Sequence, residues 1–196
     1  MQDTGSILQL KLSLDGSRPI IWRRILVKRS MSMFELHIAF QIVMGWENYH
    51  LFEFAGTGRR IGIPDPDGET RGTIDSRLIT IGALDDEALL EFKYIYDFGD
   101  DWIHTVKIEK SLTEDESIAY PLCLEGKMNG PPEDCGGIMG FYDYLKALHD
   151  PSDPSHEDML HWRGGYDPEF FDILGINRNL QLARSAPNDS HLFERN

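Results

Sequence analysis

The chain has 196 residues, and its 33 acidic side chains against 19 basic ones give a formal net charge of −14. That balance excludes general binding to nucleic-acid backbones, which draws its free energy from Lys and Arg releasing counterions. No stretch reaches the roughly 18 apolar residues of a membrane span, and the N-terminus lacks the basic, apolar and small-residue succession of a signal peptide, so a cytoplasmic protein away from membranes is expected.

The length suits one domain, expected over residues 1–184, with a frayed tail at 185–196. Residues 7–14 alternate apolar and polar side chains and read as a half-buried strand that ends at Asp15-Gly16. A second strand over 20–27 carries Arg23 and Arg24 in the most basic part of the molecule. Ser32 and Glu35 form a capping-box pattern, predicting a helix to about Met44 with Gly45 as its stop. Its apolar stripe, Met33, Leu36, Phe40 and Val43, is widened by Ile38, Ala39 and Ile42, so the helix should be heavily buried. Residues 49–54 read as a short strand carrying His50, and 59–80 as an exposed excursion with at most a short strand.

Two β-branched and aromatic runs, 89–96 and 102–112, flank the turn formers of 97–101 and predict a hairpin. Alternation puts Leu90, Phe92, Tyr94 and Tyr96 on one face of the first strand and Trp102, His104, Val106 and Ile108 on one face of the second. Asp97, Asp100 and Asp101 crowd the turn and call for a positive partner. Arg23 and Arg24 are the expected ones. His104, on an apolar face, reads foremost as a core histidine hydrogen-bonded to a carboxylate. Trp22, Trp46, Trp102 and Trp162 read as packing residues.

Residues 120–137 hold three prolines and four glycines, which excludes a regular helix or central strand and predicts a shaped loop. Its expected anchors are Cys123, Leu124 and Cys135 on the apolar side and Glu133 and Asp134 on the polar side. A helix is predicted over 140–149 and a second short one after Ser155, broken at Gly164-Gly165. A last helical turn should start at Asp167-Pro168-Glu169, and 177–183 is compatible with helix or strand. The resulting fold class is α+β: a mainly antiparallel sheet with a buried N-terminal helix packed on it and a helical C-terminal part.

In order, the segments RPIIWRRILV, MGWENYHLFEF, YIYDFGDDWIHTVKIE, PPEDCGG and DPEFFD resemble the plasmid pRiA4b ORF-3-like family, also labelled passenger TnpR-like proteins of transposable elements, over residues 5–182. The most specific element is YDFGD-x-W-x-H, from Tyr96 to His104. The resemblance implies an α+β domain with no established activity, often encoded beside mobile-element genes. Many relatives carry a cysteine just before the Pro-Pro pair, where this chain has Gly130.

The Asp97-Phe98-Gly99 triplet is not a kinase magnesium motif, because the phosphate-covering loop, strand lysine and catalytic loop are missing. There is likewise no Walker loop, no GxSxG elbow, no HExxH and no paired CxxC. The leading reading is a non-catalytic module that binds a protein, peptide or small ligand, with Asp97, Asp100, Trp102, His104, Glu133, Asp134, Arg23 and Arg24 as the binding cluster. No cofactor is expected under that reading. The alternative is a metal-dependent hydrolase or nuclease, in which carboxylates from Asp97, Asp100, Asp101, Glu133 and Asp134 and imidazoles from His104, His50 or His156 converge on Mg2+, Mn2+ or Zn2+, with Asp97, Asp100 and His104 foremost.

Overall fold

The computed structural model describes residues 5–56, 58–65 and 72–185. Strands β1 (Ile7–Leu14) and β2 (Trp22–Lys28) come first, then helix α1 (Met33–Met44), and then β3 (Phe52–Ala55), β4 (Ile61–Gly62) and β5 (Ile74–Asp75). Helix α2 (Ile81–Asp86) leads into the hairpin β6 (Glu91–Tyr96) and β7 (Trp102–Leu112), followed by β8 (Leu122–Lys127). Three helices close the described chain: α3 (Gly137–His149), α4 (His156–Arg163) and α5 (Ile173–Ser185).

The strands form one sheet in the order β5-β4-β3-β6-β7-β1-β2-β8, antiparallel throughout except between β4 and β5. Two-residue periodicity explains its sidedness. Leu8, Leu10, Leu12 and Leu14 of β1 enter the main core, joined by Ile25 and Val27 of β2 and by Phe92, Tyr94 and Tyr96 of β6. The alternate positions carry polar pairs such as Gln9 with Glu109 and Lys93 with Asp15. One face is therefore packed along its length, while the other is largely polar and carries a smaller buried apolar cluster of Ile7, Leu26 and Tyr120.

Helix α1 supplies the opposing layer. Ser32 Oγ accepts from the Glu35 N–H at 3.2 Å while the Glu35 carboxylate accepts from the Ser32 N–H at 2.8 Å. Such a cap contributes about 1 kcal/mol and fixes where the helix begins. Gly45 ends it with φ 78°, a left-handed conformation open to glycine at little cost. That stop delivers Trp46 into the core instead of continuing the helix.

Several expectations are corrected. The chain opens on a strand, so the buried helix is not N-terminal but follows β1 and β2. The excursion 59–80 contributes β4 and β5 and buries Ile61 and Ser76, because pairing extends the sheet beyond β3. Leu90 lies just before β6 and is 59% exposed, outside the alternation. Within the expected loop 120–137, six residues form β8, which Pro121 and the glycines permit because β8 is an edge strand. Residues 177–183 are helical within α5. The expected frayed tail begins at the last residue of α5 and otherwise lies outside the described residues.

Candidate functional site

The hairpin turn meets two other segments, the stretch after α1 and the PPEDCGG loop, and Tyr96 ties all three together. Its hydroxyl accepts from the backbone N–H groups of Tyr49 and His50, at 3.1 and 3.3 Å, and donates to Glu133. The other Glu133 oxygen accepts from the Glu47 N–H at 2.7 Å. Trp46 stacks on the Tyr96 ring at 5.0 Å and donates its indole N–H to the Pro131 carbonyl at 2.9 Å. Burial pushes the Glu133 carboxyl above its ordinary range, and burial together with Glu133 keeps the Tyr96 hydroxyl protonated.

The turn itself is fixed by its aspartates. Asp97 adopts φ 56° and accepts from the Gly99 N–H at 2.9 Å, while Asp100 accepts from the Gly136 N–H at 3.1 Å. Gly137 lies under the turn with φ +66°, and a Cβ there would stand 2.3 Å from the Asp100 carbonyl oxygen. The hairpin turn and the start of α3 are thus in backbone contact.

The remaining Asp97 oxygen faces His50, whose Nε2 lies 3.6 Å away and also 3.0 Å from Asp134 Oδ1. His50, Asp97 and Asp134 each offer one ligand-type atom, and the three atoms lie within 4.8 Å of one another. Asp97 is nearly buried, His50 half-buried and Asp134 exposed. The expected metal set is therefore narrowed to three of its members, and the foremost trio is not the one that assembles. Asp97 belongs to the cluster, but Asp100 faces the Gly136 N–H and His104 is fully enclosed.

His104 donates from Nδ1 to the Trp102 carbonyl at 3.0 Å rather than to a carboxylate, and burial holds its pKa down at about 4. The imidazole is neutral. Its Nε2 and the Trp102 indole N–H have no hydrogen-bond partner among the described residues. Trp102 is also fully buried, so both residues act as framework beneath the turn.

The arginines do not neutralise the turn. Arg23 shares the core face of β2 with Ile25 and Val27, where its guanidinium donates to the carbonyls of Val43, Trp22 and Lys127 at 2.7, 2.8 and 3.0 Å. Phe171 lies 4.9 Å from the guanidinium carbon, and burial lowers the Arg23 pKa to about 10. Arg24, on the opposite face, pairs with Glu109 and Glu125. Strand alternation separates the two neighbours, and neither pairs with the turn aspartates.

Sequence reasoning missed a closed polar ring beneath α1. Tyr94 OH donates to His37 Nδ1 and accepts from Gln41 Nε2, both at 2.8 Å. His37 Nε2–H donates to Asn48 Oδ1 at 2.6 Å, and the Asn48 N–H donates to Gln41 Oε1 at 3.1 Å. The i, i+4 spacing of His37 and Gln41 was the available signal. Of the expected loop anchors, Cys123 and Glu133 are buried and Cys135 is half-buried, but Leu124 and Asp134 face outward.

Beside the cluster lies a cleft of about 630 Å³ between α3, α4 and the 134–135 segment. Asp134 borders both the cleft and the His50 cluster. Cys135 also lines the cleft, but burial pushes its thiol up to about 12, leaving it protonated and a poor nucleophile. No helix of the described residues is long and apolar enough to cross a membrane.

Known proteins place this architecture. A crystal structure of a protein of unknown function, MM3350 from Methanosarcina mazei Go1, is similar with a TM-score of 0.77 and 36% identity, covering 85% of this chain and 95% of that one. The uncharacterized protein y4hQ of Sinorhizobium fredii is 38% identical over 164 residues, 83% of this chain and 84% of its own length. The model of the plasmid pRiA4b ORF-3-like proteins matches residues 6–174. These comparisons carry the pRiA4b ORF-3-like description and not the TnpR-like label. The chain belongs to the plasmid pRiA4b ORF-3-like family.

Proposed function

We propose that the protein is a cytoplasmic, non-catalytic binding module, acting as one domain over residues 1–184 and associated with mobile elements, as the plasmid in its family's name suggests. The cleft between α3 and α4 carries this reading. Three carboxylates, Asp134, Asp143 and Asp153, line it with a single lysine, Lys146, which stands 3.6 Å from Asp153. Tyr144, Trp162 and Met159 supply aromatic and thioether surface, the two rings meeting edge to face at 5.4 Å. Excess negative charge beside an aromatic wall favours a cationic group on a small ligand or peptide. The enclosure of His104 and the high pKa of Cys135 support binding over catalysis, since neither offers a reactive group to the cleft.

Titration of tryptophan fluorescence with spermidine and with a short Lys/Arg peptide tests the reading. A saturable change is expected, lost in Trp162→Phe and weakened in Asp143→Asn. No saturable change with either probe, or one unaltered by both substitutions, overturns it.

A further inference from the structure

We propose that His50, Asp97 and Asp134 form a binding site for one divalent transition-metal cation, of the zinc or manganese class. The site shares Asp134 with the border of the cleft, but its metal does not depend on a ligand in the cleft.

The chemistry of the three side chains is the first argument. An imidazole with two carboxylates suits Zn2+ or Mn2+, whereas Mg2+ and Ca2+ are held by oxygen donors alone. The spacing is the second. Metal–ligand bonds of about 2.1 Å place neighbouring donor atoms about 3.0 Å apart at right angles and about 3.4 Å apart at tetrahedral angles. His50 Nε2 lies 3.0 Å from Asp134 Oδ1 and 3.6 Å from Asp97 Oδ2, close to both values.

Charge is the third argument. The ion-pair contacts of Asp97 and Asp134 among the described residues are to His50, so two carboxylates share one imidazole with no lysine or arginine beside them. A bound divalent cation compensates both carboxylates at once. Three protein ligands also leave coordination positions open, as in sites that admit a further ligand. Asp134 stands at the cleft border, so those positions adjoin a space large enough to hold one.

The placement of the ligands follows from the fold. His50 is held through its own N–H on Tyr96, and Asp97 directly follows Tyr96 at the end of β6. Asp134 directly follows Glu133, which Tyr96 also binds. One buried hydroxyl therefore sets the backbone beside all three ligands.

Isothermal titration of the chelator-treated full chain with Zn2+, Mn2+ and Mg2+ tests the proposal. One equivalent of Zn2+ or Mn2+ should bind, with Mg2+ weaker than both. His50→Ala and Asp134→Asn should each weaken binding by about tenfold or more, a typical effect of disturbing a ligand shell. Both side chains reach solvent, so these variants keep their fold, which circular dichroism checks. A His156→Ala/His161→Ala double variant should bind as the parent does. Absent binding, equal binding of Mg2+, binding preserved in His50→Ala, or binding lost in the His156/His161 variant would each overturn the assignment.

Discussion

Asn177 of α5 completes the open edge of the sheet by bonding both backbone groups of Cys123. Its Oδ1 accepts from the Cys123 N–H at 2.7 Å and its Nδ2 donates to the Cys123 carbonyl at 2.9 Å. A side-chain amide thus takes the place of a ninth strand at that residue. Gln181, one turn further on, donates to the Ala119 and Pro121 carbonyls at 3.1 and 2.9 Å. Unpaired strand edges template aggregation, and covering them with a helix is one remedy.

Asn177→Asp should be worse than Asn177→Ala. Alanine leaves two backbone groups that water partly reaches, at a cost of about 1 kcal/mol, while aspartate turns a carboxylate toward the Cys123 carbonyl and costs about 2 kcal/mol. Urea denaturation at neutral pH measures the order. An aspartate variant as stable as the parent would show that α5 does not guard this edge.

What could be read from the sequence was local. The Ser32–Glu35 box and Gly45 set the ends of α1 through contacts within a few residues. The hairpin was legible because β6 and β7 alternate cleanly on both sides of a short turn. Strand alternation puts Arg23 on the Ile25 and Val27 face, a signal that the expected pairing of both arginines with the acidic turn passed over. His50, Asp97 and Asp134 are dozens of residues apart, and tertiary contacts that no local pattern shows bring them together: the Tyr96 hydroxyl with its three partners, the Trp46–Pro131 bond and the Asp100–Gly136 bond. Asn177 carries no local signal at all, since its partner is the backbone of a distant edge strand.

Tyr96→Phe should loosen the whole site. It keeps the ring stacked on Trp46 but leaves the Tyr49 and His50 N–H groups and one Glu133 oxygen without their partner. The cost should be about 2–3 kcal/mol, with amide exchange rising at residues 47–50. Unchanged exchange there would mean that the segment is held by packing alone.

Adjacent arginines should respond unequally. Arg23→Lys removes the planar fork that serves three carbonyls from a buried position and should cost about 2–3 kcal/mol. Arg24→Ala breaks exposed ion pairs and should change stability by less than about 1 kcal/mol. Chemical denaturation of the two variants side by side decides, and similar losses would contradict the assignment of the two residues to opposite faces.

Stability should fall on mild acidification through the two enclosed histidines. Burial lowers the pKa of His37 to about 3 and that of His104 to about 4, against 6.5 for a free imidazole. Between about pH 4 and 6.5 the unfolded chain therefore binds protons that the folded chain refuses. Stability rises with pH across that window and is lost as pH falls, by about 1.4 kcal/mol per unit for each histidine at full effect. Glu133 acts in the other direction. Its folded pKa lies above the ordinary 4.5, so the folded chain holds a proton longer than the unfolded one, and this contribution decreases as pH rises. His104→Leu should flatten the measured dependence between pH 5 and 6.5, whereas Glu133→Gln should steepen it just above pH 4.5. Urea unfolding over pH 4.5–7 gives both slopes, and a His104→Leu slope equal to that of the parent would place the proton uptake elsewhere.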